Sequence, residues 1–138
     1  MTKLLIFGTF DGLHEGHLNF FKQAKENGDY LVVVVGRDAN VERIKKRLPK
    51  QDQFERLEAV KRCGLADEAR LGNEGVDYYK VIGEVKPDVI CLGYDQFTLT
   101  DKLEQKIKEM GLTIEIKRMK PFKPEIYHSS LLTVLDEK

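Results

Sequence analysis

Apolar residues along this chain follow two alternating rhythms. Leu4-Leu5-Ile6-Phe7, Leu31 to Val35 and Val89-Ile90-Cys91-Leu92 are short and continuously apolar. Runs of this kind predict strands buried on both faces, as a parallel sheet requires. Leu18, Phe21 and Ala24 instead recur every third residue, predicting a helix from about His17 to Asn27 that stops at Asn27-Gly28. Asp52 with Glu55 three residues on predicts a capped helix whose inner face is Phe54, Leu57 and Val60. Glu68 to Leu71 suits a short strand, and Tyr78 to Glu84 a short helix stopped before Pro87. Thr100 caps a further helix with the stripe Leu103, Ile107 and Met110, which Gly111 ends. Thr113 to Ile116 alternates as a fifth strand, and Ser129 or Ser130 opens a last helix carrying Leu131, Leu132 and Leu135.

Strands that alternate with helices imply crossover connections. The expected architecture is an α/β fold in three layers: a five-stranded, mostly parallel sheet with helices on both faces. The 138 residues suit a single domain spanning 1–138. Charge narrows the partners. Lys plus Arg number 23 and Asp plus Glu number 23, so the excess cation that a generic nucleic-acid binder needs is missing. No apolar run approaches the roughly 20 residues of a membrane helix. Met1-Thr2-Lys3 leads straight into a strand-like run, so no signal peptide is expected. Cys63 and Cys91 sit in apolar stretches and suit core thiols of a reducing, cytoplasmic setting.

In open parallel sheets ligands bind beyond the carboxyl ends of the strands. The loop after the first strand holds two of the three histidines, His14 and His17, together with Gly8, Gly12 and Gly16. Three readings compete for it. It is a surface turn; or it supplies a metal pair, with Cys63, Cys91 and His128 as further soft ligands; or it is a phosphate cradle, in which helix N–H groups and imidazole donors meet an anion. The basic segment from Arg43 to Lys50, with five cations and one proline, suits either a solvated helix face or a lid over phosphates. Arg56 is expected in a surface ion pair with a nearby carboxylate.

Gly8-Thr9-Phe10-Asp11 followed by His14-Glu15-Gly16-His17 resembles the His-x-Gly-His signature of the nucleotidylyltransferase superfamily. The likeness is to its cytidylyltransferase-like branch, which includes glycerol-3-phosphate cytidylyltransferase and FAD synthases. Glu55-Arg56, Leu92-Gly93-Tyr94-Asp95-Gln96 and Ser129-Ser130 resemble further motifs of that branch. The resemblance implies a Rossmann-like nucleotidyltransferase fold. It also implies that His14 and His17 contact the triphosphate, with Glu15 and Gly16 beside them at the helix start and Thr9 and Phe10 near the nucleotide. Asp95 would bond the sugar or base edge. Lys46, or Lys45, would meet the leaving pyrophosphate. Arg118 and Ser129 would meet the phosphates.

The ten residues between Arg118 and Ser129 exceed the family's usual spacing, which leaves Arg118's role open and brings Phe122 or Tyr127 within reach of a base or flavin ring. No resident metal site is expected. A divalent cation, Mg²⁺, would come with the nucleotide. Phe10-Asp11-Gly12 and Gly93-Tyr94-Asp95-Gln96 look most like single-domain archaeal-type FAD synthases, implying ATP and FMN as substrates. Cytidylyl transfer from CTP to glycerol 3-phosphate or a similar phosphorylated alcohol is the alternative, followed by nucleotide-sugar synthesis of the lipopolysaccharide-core type and by a non-catalytic nucleotide sensor. Members of the family are often homodimers, although no apolar stripe here marks an interface.

Overall fold

Every strand of the sheet is parallel to its neighbours, as the unbroken apolar runs require. The computed structural model describes residues 1–73, 79–93 and 100–120. In chain order the elements are β1 (Lys3–Gly8), α1 (Glu15–Lys25), β2 (Tyr30–Val35), α2 (Asp38–Lys45), α3 (Gln53–Arg62), β3 (Glu68–Leu71), α4 (Lys80–Val85), β4 (Val89–Leu92), α5 (Thr100–Glu109) and β5 (Glu115–Arg118). The five strands run in the order β3-β2-β1-β4-β5. β1 pairs with β2 on one side and β4 on the other, in parallel register.

The strict alternation of strand side chains divides the core in two. Leu4, Ile6, Leu31, Val33, Val35, Val89 and Cys91 face one way, onto Phe21 and Ala24 of α1 and Val60 of α3. Leu5, Val32, Val34, Ile90 and Leu92 face the other way, onto Val81, Ile82 and Val85 of α4 and Leu103 and Ile107 of α5. Each such side chain contributes roughly 1.5–3 kcal/mol of transfer free energy on full burial. The three central strands, covered on both faces, therefore anchor the fold. Cys91 is buried, which pushes its thiol up to about 11; Cys63 is half-buried and packs against the core.

Three local expectations need correction. α1 begins at Glu15 rather than near His17, because His14 caps it. α3 has the Asp52–Glu55 capping box, but Phe54 stands 65% exposed while Arg56 is fully buried. Arg56 does pair with a carboxylate, that of Asp38, but as a fully buried group rather than on the surface, and its buried polar contacts outweigh the apolar pattern of its helix. β5 lies two residues further along than Thr113 to Ile116, since its register is set by Val89 opposite Glu115 and Ile90 opposite Ile116. The first residues of the basic segment expected as a helix face or lid, Arg43 to Lys45, are the last of α2, and Lys46 is its left-handed cap. The expected last helix at Ser129–Ser130 lies outside the described residues, as do Asp95, Phe122 and Tyr127.

Candidate active site

The strand order decides where a ligand can sit. From β1 the chain moves outward to β2 and β3, then returns to the other flank for β4 and β5. The carboxyl ends of β1 and β4 are thus adjacent at the point where the winding reverses. The crevice there is the usual ligand position in such sheets. The turn from Gly8 to His17 emerges from one side of it and Gly93 from the other.

In this turn the two histidines hold each other and the helix start. His14, in extended conformation, is the N-cap of α1, and its Nδ1 accepts the N–H of Gly16 at 3.0 Å. His17 Nδ1 accepts the N–H of His14 at 3.2 Å, completing a reciprocal capping box built from two imidazoles. An imidazole nitrogen that accepts carries no proton, so each neutral ring has its proton on Nε2. The rings stack with centroids 3.9 Å apart and an interplanar angle of 23°. Two imidazolium charges at that separation would repel by about 4 kcal/mol at an effective dielectric of 20. Burial of His14 also lowers its pKa from the ordinary value of 6.5. The result is a pair of Nε2–H groups set beside the positive end of a helix, an arrangement suited to phosphate oxygens.

The loop behind them is tightly fixed. Phe10 is a buried non-glycine residue with φ of 55°, in the left-handed region. Its ring meets His17 edge-on at 5.4 Å and Phe21 at 5.2 Å. Room for that ring comes from Gly8: a Cβ there would stand 2.4 Å from Phe10 Cζ. Gly8→Ala is therefore expected to destabilise the protein by about 1–3 kcal/mol through overpacking. The urea midpoint tests this, and an unchanged midpoint would mean that the ring is free to leave.

Asp11 accepts the N–H groups of Lys50 at 2.8 Å and Gln51 at 2.9 Å, while Gln51 Oε1 accepts the N–H of Gly12 at 3.0 Å. This clasp ties the end of the basic segment to the histidine turn. Lys46 is exposed, and among the described residues no hydrogen bond joins it to the histidines. Its tether to Lys50 is four residues, which span at most about 14 Å. Arg118, at the carboxyl end of β5, donates from Nη1 to the carbonyl of Gly93 at 2.8 Å, so it stands at the mouth of the crevice on the β4 side.

Thr9 is buried, and its carbonyl accepts from Arg56 Nη1 at 2.9 Å. Glu15 and Gly16 form the first turn of α1. The structure thus gathers Thr9, Phe10, His14, Glu15, Gly16 and His17 in one turn, sets Arg118 on the β4 side, and places Lys46 on the exposed segment that Asp11 clasps at Lys50 and Gln51. Sequence reasoning missed Asp11, Asp38, Gln51 and Arg56 as organisers of the turn. The Asp in a glycine-flanked turn was a usable signal for Asp11. Gln51 and Asp38 gave none, because their partners lie far along the chain.

The cytidylyltransferase-like family matches residues 5–133. The chain belongs to that family. As a cytidylyltransferase-like protein it is a nucleotidyltransferase. It is 40% identical over 130 residues to the FAD synthase of Thermoplasma volcanium, covering 94% of this chain and 90% of the relative. It is 37% identical over 127 residues to the FAD synthase of Thermococcus kodakarensis, covering 92% and 83%. A crystal structure described as the lipopolysaccharide core biosynthesis protein from Thermoplasma volcanium superposes with a TM-score of 0.83 at 41% identity, covering 89% of this chain and 99% of that one. The pantoate-beta-alanine ligase of Francisella tularensis shares the fold alone, at a TM-score of 0.60 and 14% identity, covering 86% of this chain and 58% of the ligase. No helix among the described residues is long and apolar enough to cross a membrane.

Proposed function

We propose that this nucleotidyltransferase transfers the adenylyl group of ATP to FMN, forming FAD and releasing diphosphate. The acceptor rests on one observation: 40% identity to an FAD synthase over nearly the whole chain. The reaction type fits the site. The second pKa of a phosphate monoester is near 6, so most FMN is a dianion at pH 7 and needs no strong base. A phosphate oxygen of FMN attacks the α-phosphorus of ATP in line; that P–O bond forms as the bond to the β-phosphate oxygen breaks, and diphosphate leaves with the electron pair. Such a transfer asks the protein for positioning and charge stabilisation.

His14 and His17 would donate from Nε2 to the α- and β-phosphate oxygens as charge builds there, with the helix N–H groups beside them. Thr9 and Phe10 would line the nucleotide. Arg118 would approach the phosphates from the β4 side and Lys46 from the clasped basic segment. Asp95 would bond the sugar or base, Phe122 would stack on a ring and Ser129 would meet phosphate.

Among the described residues no group of three or more His, Cys, Asp or Glu gathers as a cation site. A Mg²⁺ ion carried with the nucleotide would offset the charge of the triphosphate.

Purified protein with Mg²⁺ is expected to form FAD and diphosphate from ATP and FMN, followed by chromatography and a phosphate assay. Product only from CTP and glycerol 3-phosphate would replace this reading with cytidylyl transfer. Nucleotide binding without diphosphate from either mixture would make the protein a sensor.

A further inference from the structure

A fully buried arginine, given no part in the transfer above, lies directly beneath the histidine turn. Arg56 has no exposed surface, yet its three nitrogens are engaged in three directions. Nε donates to the carbonyl of Gln51 at 3.0 Å, Nη1 to the carbonyl of Thr9 at 2.9 Å, and Nη2 to Asp38 Oδ1 at 2.6 Å. The carboxylate of Asp38 is itself held, because its Oδ2 accepts the N–H of Gln53 at 3.2 Å and Gln53 Oε1 accepts the N–H of Asp38 at 3.0 Å. The guanidinium therefore cannot shift without breaking bonds to α2 and to the two loops that carry Thr9 and Gln51.

The carbonyl it grips matters most. The Thr9–Phe10 peptide leads into the left-handed conformation of Phe10, with φ of 55°. A non-glycine residue stays in that region only where its surroundings over-determine it. Here they do so from two sides. Arg56 holds the preceding carbonyl, and the Phe10 ring is wedged over Gly8 against His17 and Phe21. Loosening the carbonyl lets the peptide rotate toward an unstrained conformation. That rotation moves the ring that braces His17 and unsettles the bond from the His14 N–H to His17 Nδ1.

We propose that Arg56 is a positioning residue for His17, acting through the strained Thr9–Phe10 peptide, so that Asp38, Arg56, Thr9, Phe10 and His17 form one mechanical chain. The proposal rests on the histidine turn as the place of nucleotidyl transfer. Arg56 touches no reacting atom. It sets the aim of a donor that does, and it leaves ground-state nucleotide binding largely alone.

Arg56→Lys keeps the charge but can make only one of the three bonds in that geometry. Its kcat is expected to fall by roughly 10²-fold, as misplacement of a catalytic group by about 1 Å does, with KM for ATP nearly unchanged. Asp38→Asn leaves Arg56 in place and weakens one bond; it should lower kcat by roughly tenfold. In ¹⁵N-histidine-labelled, ligand-free protein, the ring nitrogens of His17 should show a fixed Nε2–H tautomer. In both variants they should move toward the average of two tautomers.

Combining Phe10→Leu with Arg56→Lys should give less than the product of the separate losses, because both act on one chain. If Arg56→Lys does not fold, the Asp38→Asn data decide alone. Wild-type kcat in a folded variant would overturn the proposal. So would a loss of kcat with His17 nitrogen signals unchanged, or a rise in KM with kcat intact. If the wild-type protein forms no dinucleotide at all, the functional reading falls, while the tautomer measurement still decides the link from Arg56 to His17.

Discussion

Replacing His17 with alanine is expected to lower kcat by about 10²–10³-fold, the usual cost of one donor that stabilises transition-state charge. KM for ATP should change little, because the donor matters most once charge has moved onto the phosphate oxygens. The side chain has a second role. Its Nδ1 closes the capping box of α1 by accepting the N–H of His14. Loss of a cap costs about 1 kcal/mol, which lowers Tm by about 3–4 °C in a chain of this size. His17→Gln separates the two. Glutamine at this position is a standard capping-box partner, so Tm should return while kcat remains low. A rise in KM alone, with kcat intact in both variants, would show that His17 serves ground-state affinity.

The second large effect is on pH. Burial lowers the pKa of His14 below 6.5. The unfolded chain, with its histidine at the ordinary value, then binds more protons than the folded one in the interval between the two values. Stability therefore rises with pH across that interval. It is complete above 6.5 and is lost as pH falls through the folded-state value. The geometry of the cap acts in the same direction as burial. Protonation turns Nδ1 from acceptor to donor, facing the Gly16 N–H, at the positive end of α1 and against the stacked ring of His17.

Tm of the ligand-free protein should fall below pH 6.5, and His14→Asn should remove that part of the slope, since asparagine caps a helix without titrating. kcat/KM should fall over the same range. The acceptor phosphate, with a pKa near 6, contributes to that activity limb, so the melting series is the cleaner test. Activity that climbs on acidification would overturn the neutral-imidazole account.

Some of this structure was legible in local pattern. β4 at Val89–Leu92 lies where its apolar run predicts it, β3 lies at the expected Glu68–Leu71 without such a run, and the central strands agree within a residue or two at each end. Runs buried on both sides leave a dense apolar signal that short-range reading detects. The Asp52–Glu55 box was legible because both partners lie within one turn. The edge strand β5 was misjudged by two residues. It is half-exposed, its polar and apolar positions mix, and only pairing with β4 sets its register.

Phe54 and Arg56 were exchanged between surface and core. Apolar periodicity assigns a burial preference to each side chain alone. It has no term for a guanidinium whose acceptors, Thr9 and Asp38, stand 47 and 18 residues away.

By itself the sequence determined the succession of strands and helices, the glycine- and histidine-bearing turn after the first strand, and the phosphate chemistry those residue types suit. These are properties of neighbours along the chain. The tertiary structure decided that β1 and β4 lie side by side, that both histidines accept through Nδ1 and so carry their protons on Nε2, and that a buried arginine grips the turn from below. Those outcomes depend on strand order and on hydrogen bonds fixed by three-dimensional packing. Local periodicity, which registers only the polarity of successive positions, carries no record of them.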